Sequence, residues 1–176
     1  MISYHHMSLD MAVKLGEIDR SETIDKVYEI DGGKLSETDV HYECSNWDEM
    51  ELNQIKERFS FELRNGGIAI GAFAGELLAG FGVLGHKFMG PGLDQLQVDL
   101  MYVSRNFRKQ GIGTTILQMI SAEAKIKGAN YLYISSTETG SAVSFYMRNG
   151  GKIAGIVDDD LFRKEPGDIH IIKLLD

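Results

Sequence analysis

The sequence predicts a mixed α/β (α+β) domain, and three observations carry that prediction. Runs with helical periodicity alternate with strand-like runs along the chain. Two apolar runs flank a two-residue glycine turn and so read as antiparallel neighbours. No repeat, low-complexity tract or linker divides the 176 residues. With 43% hydrophobic residues, the length suits one domain over residues 1–176, in which only 1–10 reads as a loose N-terminal segment.

"MAVKLGEI" (Met11–Ile18) reads as a first strand, while 27–41, with the turn Asp31-Gly32-Gly33, fits neither period. "SNWDEMELNQIKERFSFELRNGG" predicts a helix: Leu52, Ile55, Phe59 and Leu63 recur on one face, Asn46 with Glu49 is its predicted cap, and Gly66-Gly67 stops it. Ile68–Ala74 and Leu77–Leu84 around Gly75-Glu76 form the hairpin, followed by a glycine-rich loop, "GHKFMGPG". Gln95–Val103 is a strand whose alternation puts Leu96, Val98, Leu100 and Tyr102 on one face and Gln97, Asp99, Met101 and Val103 on the other. Ile112, Ile116, Met119 and Ile120 then mark a helix running to a glycine cap at Gly128. Strand "NYLYISS" (Asn130–Ser136), a short helix from Ser141 closed by Gly150-Gly151, and the strands "KIAGIV" and "DIHIIKLL" complete the chain.

Composition narrows the function. A net charge of −8 weighs against nucleic acid and against an anionic membrane surface, both of which require a basic footprint. No apolar run is long enough to span a bilayer, and "MISYHHMSLDM" lacks the basic start and apolar stretch of a signal peptide. The single cysteine, Cys44, permits no internal disulfide, which points to a reducing cytoplasm.

"RNFRKQGIGTTILQMI" carries the chemistry. A strand, then Arg108-Lys109-Gln110-Gly111-Ile112-Gly113, then a helix is a layout for an anion: the first N–H groups of a helix lack intrahelical partners, the helix dipole adds positive character, and glycines let the backbone close in. Arg105, Arg108 and Lys109 add charge nearby. A P-loop is excluded because Gly113 is followed by Thr114-Thr115 without a lysine. A dinucleotide fingerprint is excluded because Ile116 stands where a small residue is needed.

Arg108-x-x-Gly111-x-Gly113, entered from a strand ending in Val103, resembles the acetyl-CoA-binding signature of the Gcn5-related N-acetyltransferases (GNAT). Thr139-x-x-Ala142-x-x-Phe145-Tyr146 resembles that family's second element, with Thr139 and Gly151 in place of its usual asparagine and phenylalanine. The resemblance implies a mostly antiparallel mixed sheet flanked by helices and splayed between the fourth and fifth strands, Gln95–Val103 and Asn130–Ser136. It implies acetyl-CoA as co-substrate, with no metal, held by Met101, Tyr102, Val103, Arg108, Lys109, Gln110, Gly111, Ile112, Gly113, Thr114, Thr139, Ala142 and Tyr146. The implied reaction is direct attack of a primary amine, on a small and cationic acceptor, with Tyr146 as the acid for the departing thiolate. A non-catalytic coenzyme A-binding module and a protein N-terminal or lysine acetyltransferase are the alternatives. A homodimer through the closing strands is compatible with it.

Asp99, a carboxylate mid-strand among apolar neighbours, is the candidate base or amine anchor, with Glu138 behind it. Trp47, Tyr42 and 27–41 fall where the family builds its acceptor pocket. Cys44 lacks an arguable histidine partner, His5 and His6 lack further metal ligands, and Asp158–Asp160 reads as a solvated loop.

Overall fold

The computed structural model describes all residues, Met1–Asp176. Its strands are β1 (Ile2–Met7), β2 (Glu22–Asp31), β3 (Lys34–Cys44), β4 (Ile68–Ala74), β5 (Leu77–Met89), β6 (Gln95–Val103), β7 (Tyr131–Ser136), β8 (Gly151–Ile153) and β9 (Ile169–Leu174). Its helices are α1 (Glu49–Arg64), α2 (Ile112–Ile126), α3 (Gly140–Arg148) and α4 (Asp159–Lys164). Seven strands form one sheet in the order β1-β4-β5-β6-β7-β9-β8, and β2 and β3 pair only with each other. Every strand pair is antiparallel except β6 and β7.

Each face of the sheet carries its own core. The larger core packs α2, through Ile112, Ile116, Leu117 and Ile120, onto Ile70, Ala72, Leu84, Leu96 and Val98. The smaller one packs α1, through Ile55 and the fully buried Phe59, onto Ala69, Phe73, Phe81, Val83 and Leu100. α1 starts at Asp48, whose carboxylate accepts the Glu51 N–H at 2.8 Å while the Glu51 carboxylate accepts the Asp48 N–H at 2.9 Å.

Four expectations need correction. Residues 1–10 are not loose: β1 pairs with β4 from Ala69 to Ala74, with Ile2 and Tyr4 packed against the larger core. That pairing takes the sheet edge from Met11–Ile18, which is instead part of a 3₁₀ turn over Leu9–Glu17 that buries Leu15 and, just beyond it, Ile18, three residues apart. The capping box lies two residues later than predicted, because the Asn46 side-chain oxygen accepts the N–H groups of Arg20 and Trp47. Asp158–Asp160 is not a plain loop: the Asp158 carboxylate accepts the Leu161 N–H at 3.0 Å and caps α4.

The strands also have different bounds from those predicted. The hairpin strand β5 runs on to Met89 through a register irregularity, and the predicted strand at "KIAGIV" is only the three residues of β8. The ambiguous 27–41 resolves into the β2–β3 hairpin, turning on Gly32 and Gly33, both at positive φ.

Candidate active site

β6 and β7 pair over only three residues each, Gln95–Gln97 against Tyr131–Tyr133. Beyond Gln97 they diverge, each still paired on its other side, β6 with β5 and β7 with β9. The sheet is therefore open between Val98–Val103 and Ile134–Ser136, at the position the resemblance implies.

One end of this opening is the start of α2. The N–H groups of Lys109, Gln110, Gly111, Ile112, Gly113 and Thr114 make no hydrogen bond within the protein; the ladder begins with Thr115 N–H to the Gly111 carbonyl at 3.1 Å. Two unusual backbone angles converge these donors: Lys109 at φ +60° and Gly111 at φ +82°. Gly111 is required for its left-handed conformation, since a side chain there would meet no atom. Gly113 is required for space: a Cβ would lie 3.1 Å from the Phe145 ring, so this glycine lets α3 pack against the start of α2.

The two arginines predicted to add charge at this turn do something else. The Arg108 guanidinium donates to the carbonyls of Val103 (2.9 Å), Ser21 (2.9 Å) and Asp19 (3.3 Å). Arg105 donates to the Ser21 and Thr23 hydroxyls and lies 3.5 Å from the Glu43 carboxylate. Both tie the turn to the start of β2, which leaves exposed Lys109 as the cation with no ion-pair partner there.

α3 closes the other side. The Thr139 hydroxyl accepts the Ala142 N–H at 3.4 Å and caps the helix. The preceding loop is pinned by the β2–β3 hairpin, through Tyr28 N–H to the Glu138 carbonyl at 2.7 Å. Tyr146 is buried at 8% exposure, and its hydroxyl makes no hydrogen bond within the protein. Burial pushes its phenol pKa far above the ordinary value, with Tyr102 adding to the effect. Gly151 replaces a larger residue for a steric reason: a Cβ there would lie 2.7 Å from both the Tyr146 carbonyl oxygen and an Ile171 methyl, because β8 crosses close under the end of α3.

The predicted alternation of β6 is broken at Asp99. Leu100 faces Val83 and Val98 faces Leu84, so Asp99 is the extra residue of a β-bulge. Leu96 and Val98 therefore face α2, whereas Leu100 and Tyr102 face α1. The Asp99 side chain is 12% exposed, and Arg58 of α1 donates to its carbonyl at 2.8 Å and its carboxylate at 3.0 Å. Burial pushes the Asp99 carboxyl above the usual carboxylate range, and the guanidinium holds it back. Tyr102 stands edge-on to Trp47, ring centroids 4.8 Å apart, with its phenol raised by burial. The charges of Arg58, Asp99 and Asp168 act on it, and it acts in turn on Tyr146.

The structure thus gathers Asp99, Tyr102 and Tyr146 about the opening and leaves Cys44, His5 and His6 outside it. Cys44 ends β3 with its thiol 3.7 Å from the Ser45 carbonyl, His5 stacks on Phe73, and His6 bonds Glu123 at 2.7 Å. Sequence reasoning missed Arg58 and Asp168. Position 58, next to buried Phe59 on α1, was the available signal for the arginine; Asp168 sits in a loop and gave none.

Known proteins share this architecture. A nourseothricin acetyltransferase superposes with a TM-score of 0.76 at 19% identity, over 99% of both chains. A Bacillus anthracis str. Ames protein described as a streptothricin acetyltransferase, with acetyl coenzyme A bound, gives 0.75 at 17% identity over 100% of this chain and 99% of that one. The ribosomal-protein-S18-alanine N-acetyltransferase of Escherichia coli gives 0.64 at 13% identity over 100% and 95%. At these identities the likeness is one of fold. No curated protein matches the sequence. The family profile described as an acetyltransferase (GNAT) domain matches residues 65–150, the span that holds the hairpin, the splayed pair and both helix starts, and over that span the chain is similar to the GNAT acetyltransferases.

Proposed function

We propose that this chain is an acetyl-CoA-dependent N-acetyltransferase acting on a primary amine of a small, cationic molecule. The observation that carries the proposal is the run of six unpaired N–H groups, Lys109–Thr114, beside a parallel strand pair that opens after three residues. Amides converging at a helix start suit a pyrophosphate, with Lys109 adding charge. The edge of β6 that β7 leaves open at Met101–Val103, where Arg108 already holds the Val103 carbonyl, suits the pantetheine amides, which join it as an added strand. Thr139 and Ala142, at the start of α3, follow the open end of β7.

In the reaction the amine nitrogen bonds to the thioester carbonyl carbon and the C–S bond breaks. The amine loses one proton and the thiolate gains one. An alkyl ammonium has a pKa of about 10.4, so a base must take its proton at neutral pH. Asp99 suits that role, because a carboxyl raised above its usual range is the stronger base. Tyr146 suits the opposite one through its position, since its hydroxyl makes no hydrogen bond within the protein and is free to donate to sulfur as charge builds there. Unpaired N–H groups of β6 suit the developing oxyanion.

The acceptor's charge class follows from where the acid lies. Residues 22–44 hold seven acids against two lysines, residues 154–168 hold five acids against one arginine and one lysine, and together these account for the whole net charge of −8. Both segments reach the open end of β7, the first through Tyr28 N–H on the Glu138 carbonyl at 2.7 Å and the second through Asp168, which accepts the Ser135 hydroxyl at 2.8 Å. Their field draws in cations.

The test is calorimetry with coenzyme A, followed by thiol release from acetyl-CoA across an amine panel. Micromolar binding with turnover that falls about 10²–10⁴-fold in Tyr146→Phe supports the proposal. Absence of coenzyme A binding refutes it, and tight binding without turnover of any amine points to a non-catalytic module instead.

A further inference from the structure

Two half-buried or buried carboxylates face the opening, and their partners differ. Asp99 is bonded by Arg58 through both its carbonyl and its carboxylate, so its charge is already answered inside the protein. Asp168, just before β9, has no ion-pair partner: one oxygen accepts the Ser135 hydroxyl at 2.8 Å and the other accepts nothing. Ser135 lies on β7 beyond the last residue paired with β6, so this carboxylate sits at the open part of the sheet. The charges acting on Asp168 come from every side of the cleft: Glu165 in its own loop, Glu138 after β7, and Arg58 on α1. Two of the three are acidic, and the one cation, Arg58, is already paired with Asp99, so the free oxygen keeps no cation of its own.

We propose that Asp168 anchors a second, non-reacting ammonium group of the acceptor, which makes the substrate class a diamine or polyamine rather than a monoamine. The inference rests on the acetyltransferase reading above and adds a division of labour. The Arg58-paired Asp99 handles the proton of the reacting amine, and unpaired Asp168 holds a second cation of the same molecule. A half-buried carboxylate gains most from a partner that cancels its charge and bonds its vacant oxygen.

The experiment compares putrescine and cadaverine with the equal-length monoamines butylamine and pentylamine, in the full chain and in Asp168→Asn. Each diamine should exceed its monoamine in kcat/KM by about tenfold or more, the scale of one charge-assisted hydrogen bond. In Asp168→Asn the ratio should fall to near one, chiefly through KM for the diamine, with KM for acetyl-CoA unmoved. Asp99→Asn, by contrast, should lower kcat for both amines and keep the ratio. A ratio near one in the unaltered chain, no turnover of any of the four amines, or a ratio that survives Asp168→Asn overturns the proposal. Calorimetry with coenzyme A separates this outcome from failure of the functional reading, because that binding uses the turn before α2 and not Asp168.

Discussion

Replacing Gly111 by alanine tests the turn before α2 through two coupled measurements. Gly111 stands at φ +82°, ψ +1°, and a Cβ added there would meet no atom within 4 Å, so the whole effect is conformational. Left-handed backbone costs an L-residue about 1–2 kcal/mol. The apo protein has two choices. It can keep the strained turn and lose that amount of stability, or let the turn relax and lose the bonds that the Gly111 carbonyl accepts from the Thr115 N–H (3.1 Å) and hydroxyl (3.2 Å). Those two bonds are worth about 1–2 kcal/mol together, nearly the same as the strain. Whatever the turn saves by relaxing must be returned when coenzyme A gathers the N–H groups again. The losses in folding stability and in coenzyme A affinity should therefore sum to about 1–2 kcal/mol, and affinity alone should fall by no more than about 30-fold. Urea unfolding and calorimetry measure the two parts. Gly111→Asn should show a smaller sum, since asparagine tolerates this region better. Two results refute the reasoning: no change in either quantity, or a thousandfold loss of affinity with stability intact.

Two further predictions concern charge. Arg58→Met removes the guanidinium that holds the Asp99 carboxyl down, so the acid limb of kcat/KM should move to higher pH; a limb that stays in place, with activity lost uniformly, would separate Asp99 from the proton transfer. His170, 5% exposed, shares a hydrogen bond with the Tyr133 hydroxyl through Nδ1, while its Nε2 is buried without a partner and burial lowers its pKa. As pH falls through about 6.5 the unfolded chain takes up a proton that the folded chain refuses until the lowered value, so stability is lost with falling pH across that window. The urea midpoint should drop from about pH 7.5 to about pH 5.5, and His170→Gln should drop less; parallel declines would refute the assignment.

What the sequence disclosed was what short-range rules determine. Helices α1 and α2 and strands β4, β6 and β7 followed from periodicity and glycine stops, and the turn before α2 from its spacing. What escaped was set by competition between distant segments. Met11–Ile18 has strand-like composition, yet β1 already holds the edge of β4. Asn46 is a good capping residue, yet its side-chain oxygen is taken by Arg20 from another part of the chain. Arg105 and Arg108 read as charge for an anion because sequence shows their charge and not their partners: the Ser21 and Thr23 hydroxyls for Arg105, and the carbonyls of Asp19, Ser21 and Val103 for Arg108.

Asp99 shows how such a limit bears on chemistry. Strict alternation on β6 puts Asp99 and Met101 on the same face. The bulge undoes that: Met101 packs with the α2 core, and the chain reverses so that Leu100 and Tyr102 join the α1 side. An extra residue in one strand is invisible without its partner, because the register belongs to β5 and β6 together. Yet the same extra residue makes the site possible. A carboxylate buried against the sheet with no cation to meet it costs several kcal/mol. Placed in the bulge, it meets Arg58 from α1 through both its backbone and its side chain. The bulge and the arginine are then one device, and neither should work alone. Inserting one residue between Val83 and Leu84, which gives Asp99 a partner on β5 and restores regular pairing, should cost activity as completely as Asp99→Asn; an insertion variant that folds and keeps its turnover would separate the bulge from the chemistry.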